Sequence, residues 1–332
     1  LTAPLHAERY GAGPSKTAAE NTAALNAMVA ALPAAGGDMR IGSGEIQINA
    51  PIALPAGKRF SITGNGSSGT RIKLASGSNC DLFTYTGVFP STNPGGSGGY
   101  TNSANQDWLI IGDLTLDGNK AGQTATSRGI YLTAADYVVL DRLFLHDWWS
   151  NAVRLDNCDE GTFSSSMIMG IGVSGTGRHG IYMGAGTHDW NLVGLGVESC
   201  FGAGVLFTGA FENELAASNF WGNYRHVEIS AAGVRDIKVT GGIYEAATDA
   251  AILVSGTKQQ IHGAKIMGTG TVGISLSATT DSQVMGAMVD GPTTGIVESG
   301  AANRNQIALC RVFAGGITVV GASTVQTANM LA

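Results

Sequence analysis

Apolar residues return along this chain with a steady beat. From Ile130 one series runs through Val153, Ile181, Val205, Val227, Ile252, Ile274, Ile296 and Ile317, at intervals of 21 to 28 residues and usually after a glycine. A second series, out of phase with the first, runs through Ile111, Leu140, Phe163, Leu192, Leu215, Ile237, Ile261, Val284 and Ile307. Each cycle therefore holds two short stretches of apolar alternation, separated by Gly, Ser, Asn and Thr. Period-two alternation over so few residues predicts short strands. A repeat of this length with two or three short strands predicts one coil of a parallel β-helix per cycle. The Leu and Asn spacing of leucine-rich repeats is absent. Beyond residue 35 there is no long 3.6-periodic run of the kind helical repeats need.

The opening segment follows a different pattern. Residues 17–32 are Ala-rich, with apolar positions at Leu25, Met28, Val29 and Leu32, and the stretch ends at Pro33 and Gly36-Gly37. That pattern predicts an amphipathic helix with a clear stop. An exposed first coil leaves apolar core and strand edge uncovered, so such a helix is expected to cap it. Short strands are expected next at 38–41, 45–49, 60–63 and 70–74. The expected organisation is an N-terminal segment with the capping helix over 1–36, followed by a single elongated β-helix domain over 37–332.

Composition agrees with this reading. Glycine is 49 of 332 residues against 8 prolines, which suits a chain that turns sharply and often and excludes collagen-like or disordered classes. Charged residues are 13% and hydrophobic residues 44%, enough for a long core. The net charge of −6 and the lack of a Lys/Arg stripe argue against nucleic acid as a partner. No stretch approaches the roughly 18 apolar residues of a membrane span. Cys80, Cys158, Cys200 and Cys310 fall in different phases of the repeat, so free and mostly buried thiols are expected rather than disulfides. This fits folding in a reducing bacterial cytoplasm, even for a protein that acts outside the cell. The chain starts at Leu1 rather than Met, which leaves room for a removed leader or an upstream domain.

Several short motifs carry a family resemblance. Tyr10-Gly11-Ala12-Gly13, then Asn21-Thr22-Ala23-Ala24-Leu25, Gly36-Gly37, Ile41 and the turn Leu54-Pro55-Ala56-Gly57 resemble the start of the pectate-lyase-like β-helix superfamily found in bacteriophage tailspikes. Leu114-Thr115-Leu116-Asp117-Gly118-Asn119 looks like a further element of that family. The resemblance covers roughly residues 7–120 by motif and the remainder by periodicity. It implies an all-β, right-handed parallel β-helix, assembly as a homotrimer, and a polysaccharide substrate met at a virion tail or outside the cell. Ala18-Ala19-Glu20 replaces the usual acidic pair before the helix. The Asn-Thr-Asp, Asp-Asp, Gly-His-Gly and Arg-Ile-Lys set of polygalacturonases is missing, because Arg71-Ile72-Lys73 lies too early and has no companions. Pectin hydrolysis is therefore not implied. Residues 90–104, rich in Pro, Ser, Thr, Asn and Gly, are expected to form a loop.

The candidate chemistry lies in the middle coils, since four of five Trp and four of six His fall between residues 146 and 226. One column places His146, Asp147, Trp148 and Trp149 beside Gly170, then Glu198 and Phe201, then Trp221, Asn223 and Tyr224. Sugars present flat apolar faces ringed with hydroxyls, and aromatic planes beside carboxylates match both features. Trp148, Trp149, Trp221 and Tyr224 are the expected sugar platforms, with Arg154, Tyr182 and Glu228 as polar partners and Tyr131 nearby. Asp147 and Glu198, two coils apart, are the expected acid and base of a glycoside hydrolase, at roughly 9 to 10 Å by strand spacing. Glu160, Asp189 and Glu212 form a competing ladder in which like charges raise one another's pKa. Arg178, His179 and Tyr182 suit a polysaccharide lyase, with His or Tyr as base and Arg neutralising a uronate carboxylate. A non-catalytic receptor-binding spike is the remaining alternative.

No zinc spacing occurs, and the glycines at 95–99 lack the Gly-Lys-Ser/Thr of a phosphate loop. No cofactor is expected, apart from a structural calcium that Asp156 and Asp159 leave open. Small outward residues at Ala264, Thr269, Ala287 and Ala308 are the expected contacts between sister chains.

Overall fold

A computed structural model describes residues 3–87, 108–174, 178–230, 233–268, 270–313, 315–321 and 323–331. The loop expected over 90–104, the glycines at 95–99 and Thr269 lie outside the described residues. The chain divides into two compact units, Leu1–Met167 and Ile168–Ala332.

In the first unit the expected helix spans Ala18–Ala30. Thr17 caps it through a full capping box: Glu20 N–H donates to Thr17 Oγ1 at 3.3 Å, and Thr17 N–H donates to Glu20 Oε2 at 2.8 Å. Its buried face, including Leu25, Met28 and Val29, lies on the first strands. Two polar side chains on that face complete the backbone beneath them. Asn49 N–H donates to Thr22 Oγ1 at 3.0 Å, and Ala53 N–H donates to Asn26 Oδ1 at 3.2 Å. The helix thus satisfies strand-edge amides as well as covering apolar surface.

The coils of this unit are parallel and in register. Ile52, Phe83, Ile130 and Val153 align on one sheet, and Ile111, Leu140 and Phe163 align on another. The second unit continues the pattern with three strands per coil. Ile181, Val205, Val227, Ile252, Ile274, Ile296 and Ile317 stack as one row of successive register partners. In the other series Leu215 aligns with Val239 rather than Ile237, and Val239 aligns in turn with Ile261. Ile237 is also fully buried, at a corner where its N–H donates to Gln259 Oε1 at 2.9 Å.

The corners follow one rule. A residue in left-handed backbone, such as Ser165, Glu212, Ala217, Lys258, Asp281 or Arg304, is followed by an inward-pointing residue. Where that residue is polar, it satisfies amides on two coils. Asn213 accepts the Trp190 N–H at 3.0 Å while its Nδ2 donates to the carbonyls of Phe211 and Thr187 at 2.8 and 3.2 Å. Gln259 N–H donates to Ser282 Oγ at 3.0 Å, and Ser282 N–H donates to Asn305 Oδ1 at 3.0 Å. The cysteines use the same positions. Cys200 N–H donates to Asn223 Oδ1 at 2.9 Å, Cys310 N–H donates to Asn329 Oδ1 at 3.0 Å, and all four cysteines are thiols rather than halves of disulfides.

The same rule corrects the expected subunit contacts. Ala264 and Ala287 follow the left-handed glycines Gly263 and Gly286, point inward and are buried. Ala308 is buried too, just before the left-handed Leu309. None of the three presents a surface to another chain.

Replacing Asn213 with Ala orphans the buried Trp190 N–H and removes the amide donor to the Phe211 carbonyl, while Thr187 O keeps the Phe211 N–H, so a loss of about 2 kcal/mol is expected in urea unfolding, against less than about 0.5 kcal/mol for the exposed neighbour Asn191→Ala. The thiols give a second check. Burial pushes Cys80 up to about 11 and Cys158 up to about 12, and it also raises Cys310. Native protein at mildly alkaline pH should therefore react slowly with a thiol reagent, and all four cysteines should react once the chain is unfolded.

Candidate functional site

An outward row on the second unit combines the two features a sugar site needs. Glu198, Trp221 and Glu245 are register partners on three consecutive coils, with side chains on the outer face while Val197, Phe220 and Tyr244 point into the core. The Trp221 indole is 57% exposed. Just past the corner, Phe201 and Tyr224 stand three residues beyond Glu198 and Trp221, each about half exposed. Their place on the coils is equivalent, since Phe201 N–H donates to Ile171 O and Tyr224 N–H to Cys200 O. The result is an aromatic surface with a carboxylate on either side of its central indole. The two carboxylates lie two coils apart, about 9 to 10 Å between their strands.

Beside this surface, Arg225 binds Asp249 at 2.7 Å and Glu228 at 2.9 Å, and its guanidinium lies 5.2 Å from the centre of the Tyr224 ring. Glu228 is thus held within an ion-paired cluster. Asn223, expected among the sugar contacts, is fully buried and belongs to the corner ladder.

The lyase set is only partly suited to its expected task. His179 and Tyr182 come together, with ring centres 6.3 Å apart. However, His179 Nδ1 accepts the Ala203 N–H at 2.9 Å, which leaves the ring's own proton on Nε2. Neither nitrogen then offers a lone pair to a substrate proton. Burial pushes His179 down to about 4, so the ring is neutral at pH 7.

In the competing ladder, Asp189 and Glu212 are adjacent, with Asp189 N–H donating to Glu212 O at 3.1 Å. Asp236 continues the same left-handed position on the next coil. These carboxylates and Lys238 line a shallow groove of about 310 Å³. His188 Nδ1 lies 3.0 Å from Asp189, Arg235 lies 3.5 Å from Glu212, and Lys238 lies 3.0 Å from Glu214. Interleaved basic groups make this a paired charged surface rather than a bare carboxylate ladder. Glu160 lies in the first unit, exposed and also in left-handed backbone.

The first unit also holds Asp147. Its carboxylate lies 2.9 Å from His146 Nδ1 and 4.0 Å from Lys120 Nζ. His146 is a register partner of Asp117, and Asp117 of Lys73. Asp117 is buried, ion-paired to Arg71, and accepts the Asn119 N–H at 2.7 Å. Oxygen and nitrogen donors of Asp117, His146 and Asp147 lie within 4.8 Å of one another, a spacing that suits a metal. The charges of Arg71, Lys73 and Lys120 already answer these carboxylates and oppose a divalent ion there. At the expected calcium position, Asp156 pairs with Arg154 at 2.6 Å and Asp159 accepts the Glu160 N–H. Arg154 and Arg128 flank the Tyr131 ring, at 5.6 and 3.7 Å from its centre.

Trp148 is not a sugar platform. It follows the left-handed Asp147, turns into the core and is fully buried against Gly118 and Gly129. A Cβ on Gly118 would lie 2.7 Å from its ring, so that glycine makes room for the indole. Trp190, after the left-handed Asp189, is buried in the same way. Trp149 remains half-buried.

No protein-family model matches the sequence, and no curated protein does. Solved structures do match. The A-module of Azotobacter vinelandii mannuronan C-5 epimerase AlgE6 superposes with a TM-score of 0.72 at 16% identity, over 99% of both chains. The chain is thus a right-handed parallel β-helix in fold. The enzymatically active domain of bacteriophage CBA120 tailspike protein 2 matches with a TM-score of 0.62 at 11% identity, over 93% of this chain and 47% of that one. The Streptococcus pneumoniae surface protein and adhesin PfbA matches with a TM-score of 0.59 at 11% identity, over 99% and 97%.

Two residues of the site escaped the sequence reading. Glu245 follows Tyr244 at the position Glu198 holds after Val197, so strand alignment alone would have found it. Asp236 was hidden by the placement of Ile237 in the strand.

His226 is fully buried, and burial lowers it to about 3. It and His179 are therefore neutral when folded and protonate near pH 6.5 when unfolded. Their folded values lie below the unfolded one, so stability held above pH 6.5 is lost as pH falls toward about 4 for His179 and about 3 for His226, at about 1.4 kcal/mol per pH unit for each. Melting temperatures between about pH 7 and 4.5 should show this acid sensitivity, and the His179→Gln, His226→Gln double variant should flatten it.

Proposed function

We propose that this protein binds and cleaves a polysaccharide by glycoside hydrolysis, as a tailspike-like depolymerase of a bacterial surface glycan. The observation that carries this reading is the exposed Trp221 indole set between Glu198 and Glu245 on one outward row. The fold's occurrence in a mannuronan epimerase and in the active domain of a phage tailspike supports a polysaccharide as the ligand class. A virion-tail or extracellular setting and a homotrimeric assembly belong to the same reading, and light scattering of the purified protein tests the trimer.

In the proposed reaction a sugar ring lies on Trp221, with Phe201 and Tyr224 extending the contact. One carboxyl group donates its proton to the glycosidic oxygen as the bond from that oxygen to the anomeric carbon breaks. The other carboxylate takes a proton from a water whose oxygen attacks the anomeric carbon. A carboxylate separation of about 6.5 to 9.5 Å leaves room for that water and gives inversion. The strand spacing, with side chains free to lean toward each other, falls at the upper edge of this range. Asp147, with His146 beside it, enters as a residue to be tested separately on the first unit.

The test is incubation with a panel of purified bacterial surface polysaccharides, reading chain length, reducing ends and ultraviolet absorbance on the same samples. Shortened chains with new reducing ends and no absorbance are expected. Glu198→Gln and Glu245→Gln should each lower the rate at least about 100-fold while binding persists, and Asp147→Asn should leave it within about threefold. An absorbing, unsaturated product would establish a lyase. Binding without shortening across the panel would establish an adhesin-like role.

A further inference from the structure

A second aromatic surface lies in the first unit, on a different corner of the coil. Trp108 opens the strand Trp108–Asp117 and is 48% exposed. From the register of Leu109 with Val138, its neighbour on the next coil is Tyr137. The two rings lie nearly parallel, 14° apart in plane with centres separated by 6.4 Å. Arg59 is the register partner of Trp108 on the preceding coil, and the pairing of Asp136 with Asp159 and Val138 with Gly161 puts Glu160 beyond Tyr137. One outward column thus reads Arg59, Trp108, Tyr137, Glu160, with a cation at one end and a carboxylate at the other.

Tyr137 is held at a cost. Its φ is +48°, in the left-handed region that a bulky aromatic side chain rarely adopts. Glycine or asparagine would fit this corner without strain. Left-handed corners recur along these coils, but a bulky, half-buried aromatic kept at one of them points to a use for its side chain. Here that use is to set a ring parallel to the indole of Trp108. The carboxylate of Glu160 beside Tyr137, with partial burial and Asp136, also raises its pKa, and the Tyr137 hydroxyl hydrogen-bonds Glu160, which ties the ring to the carboxylate end of the column.

We propose that Trp108 and Tyr137 form a non-catalytic carbohydrate-binding platform that takes the flat faces of a polysaccharide, with Arg59 and Glu160 holding its hydroxyl or acidic substituents. Parallel rings, one half exposed at Trp108 and one half-buried at Tyr137, suit sugar faces, and charged groups at both ends suit a chain that runs along the column. This shares with the hydrolase reading only the class of ligand.

The test is affinity electrophoresis of the full chain in gels containing alginate, polygalacturonate, xanthan, dextran or a purified capsular polysaccharide. Retardation is expected in at least one gel, and Trp108→Ala should weaken it about tenfold. Tyr137→Gly should weaken it similarly while the melting temperature stays level or rises, because glycine relieves the left-handed strain. Retardation that survives both substitutions within twofold overturns the proposal, as does its absence from every gel. Loss of retardation that comes only with a melting temperature lowered by several degrees in both variants also overturns it, by making the pair structural. Retardation lost in Trp221→Ala but kept in Trp108→Ala sinks the platform and spares the hydrolase reading. Platform-dependent retardation without any cleavage does the reverse.

Discussion

A parallel coil must turn several times per cycle while its backbone amides remain buried, and the hydrogen bonds made at those corners are the constraint on which the rest depends. Strand amides find partners on the next coil automatically, whereas corner amides do not. The protein meets the need with inward Asn, Ser, Gln and Cys side chains, each serving its own coil and its neighbour, as Asn213 and Ser282 do. Cys310 shows how little the solution depends on residue type, since its thiol donates to Ala308 O at 3.3 Å where a serine hydroxyl stands on another coil. Apolar burial supplies most of the driving force for the fold. The polar corners decide where each coil ends, and so which side chains face outward.

That consequence governs the surface chemistry. Once the corners fix the register, residues at the same phase line up across the coils at the spacing of hydrogen-bonded strands. Glu198, Trp221 and Glu245 share a row because Ser199, Gly222 and Ala246 turn at equivalent points just after them. Trp221 and the two carboxylates beside it are carried on strands rather than loops, which gives them defined separations before any ligand arrives.

Much of this was legible in the sequence. The series from Ile130 to Ile317 was recoverable because, within each unit, a large and mostly buried aliphatic residue returns at nearly constant length and usually follows a glycine. The opening helix was equally plain, with Pro33 and the glycine pair as its stop. Ile237 failed because Val239 has the same strand parity, and alternation alone cannot choose between two apolar residues two apart. The choice is made by the left-handed corner at Asp236, which leaves no mark in a hydropathy pattern. Trp148 failed for a related reason. Placed one residue past a left-handed corner, an aromatic side chain points inward, whereas the same side chain one residue before a corner, as at Trp221 before Gly222, points out.

The corner ladder also bears on how such a chain can change in length. Gln259, Ser282 and Asn305 occupy the same place on three consecutive coils, and each binds the next through the same kind of bond. Excising residues 260–282 would bring Gln259 to the start of Gln283 with Asn305 next in line, every strand again beside a strand of its own phase. Because each coil contacts only its immediate neighbours, one coil can be lost or duplicated without disturbing the rest. Coil number is therefore a variable that recombination can adjust in whole steps, lengthening or shortening an outward row while leaving its spacing intact.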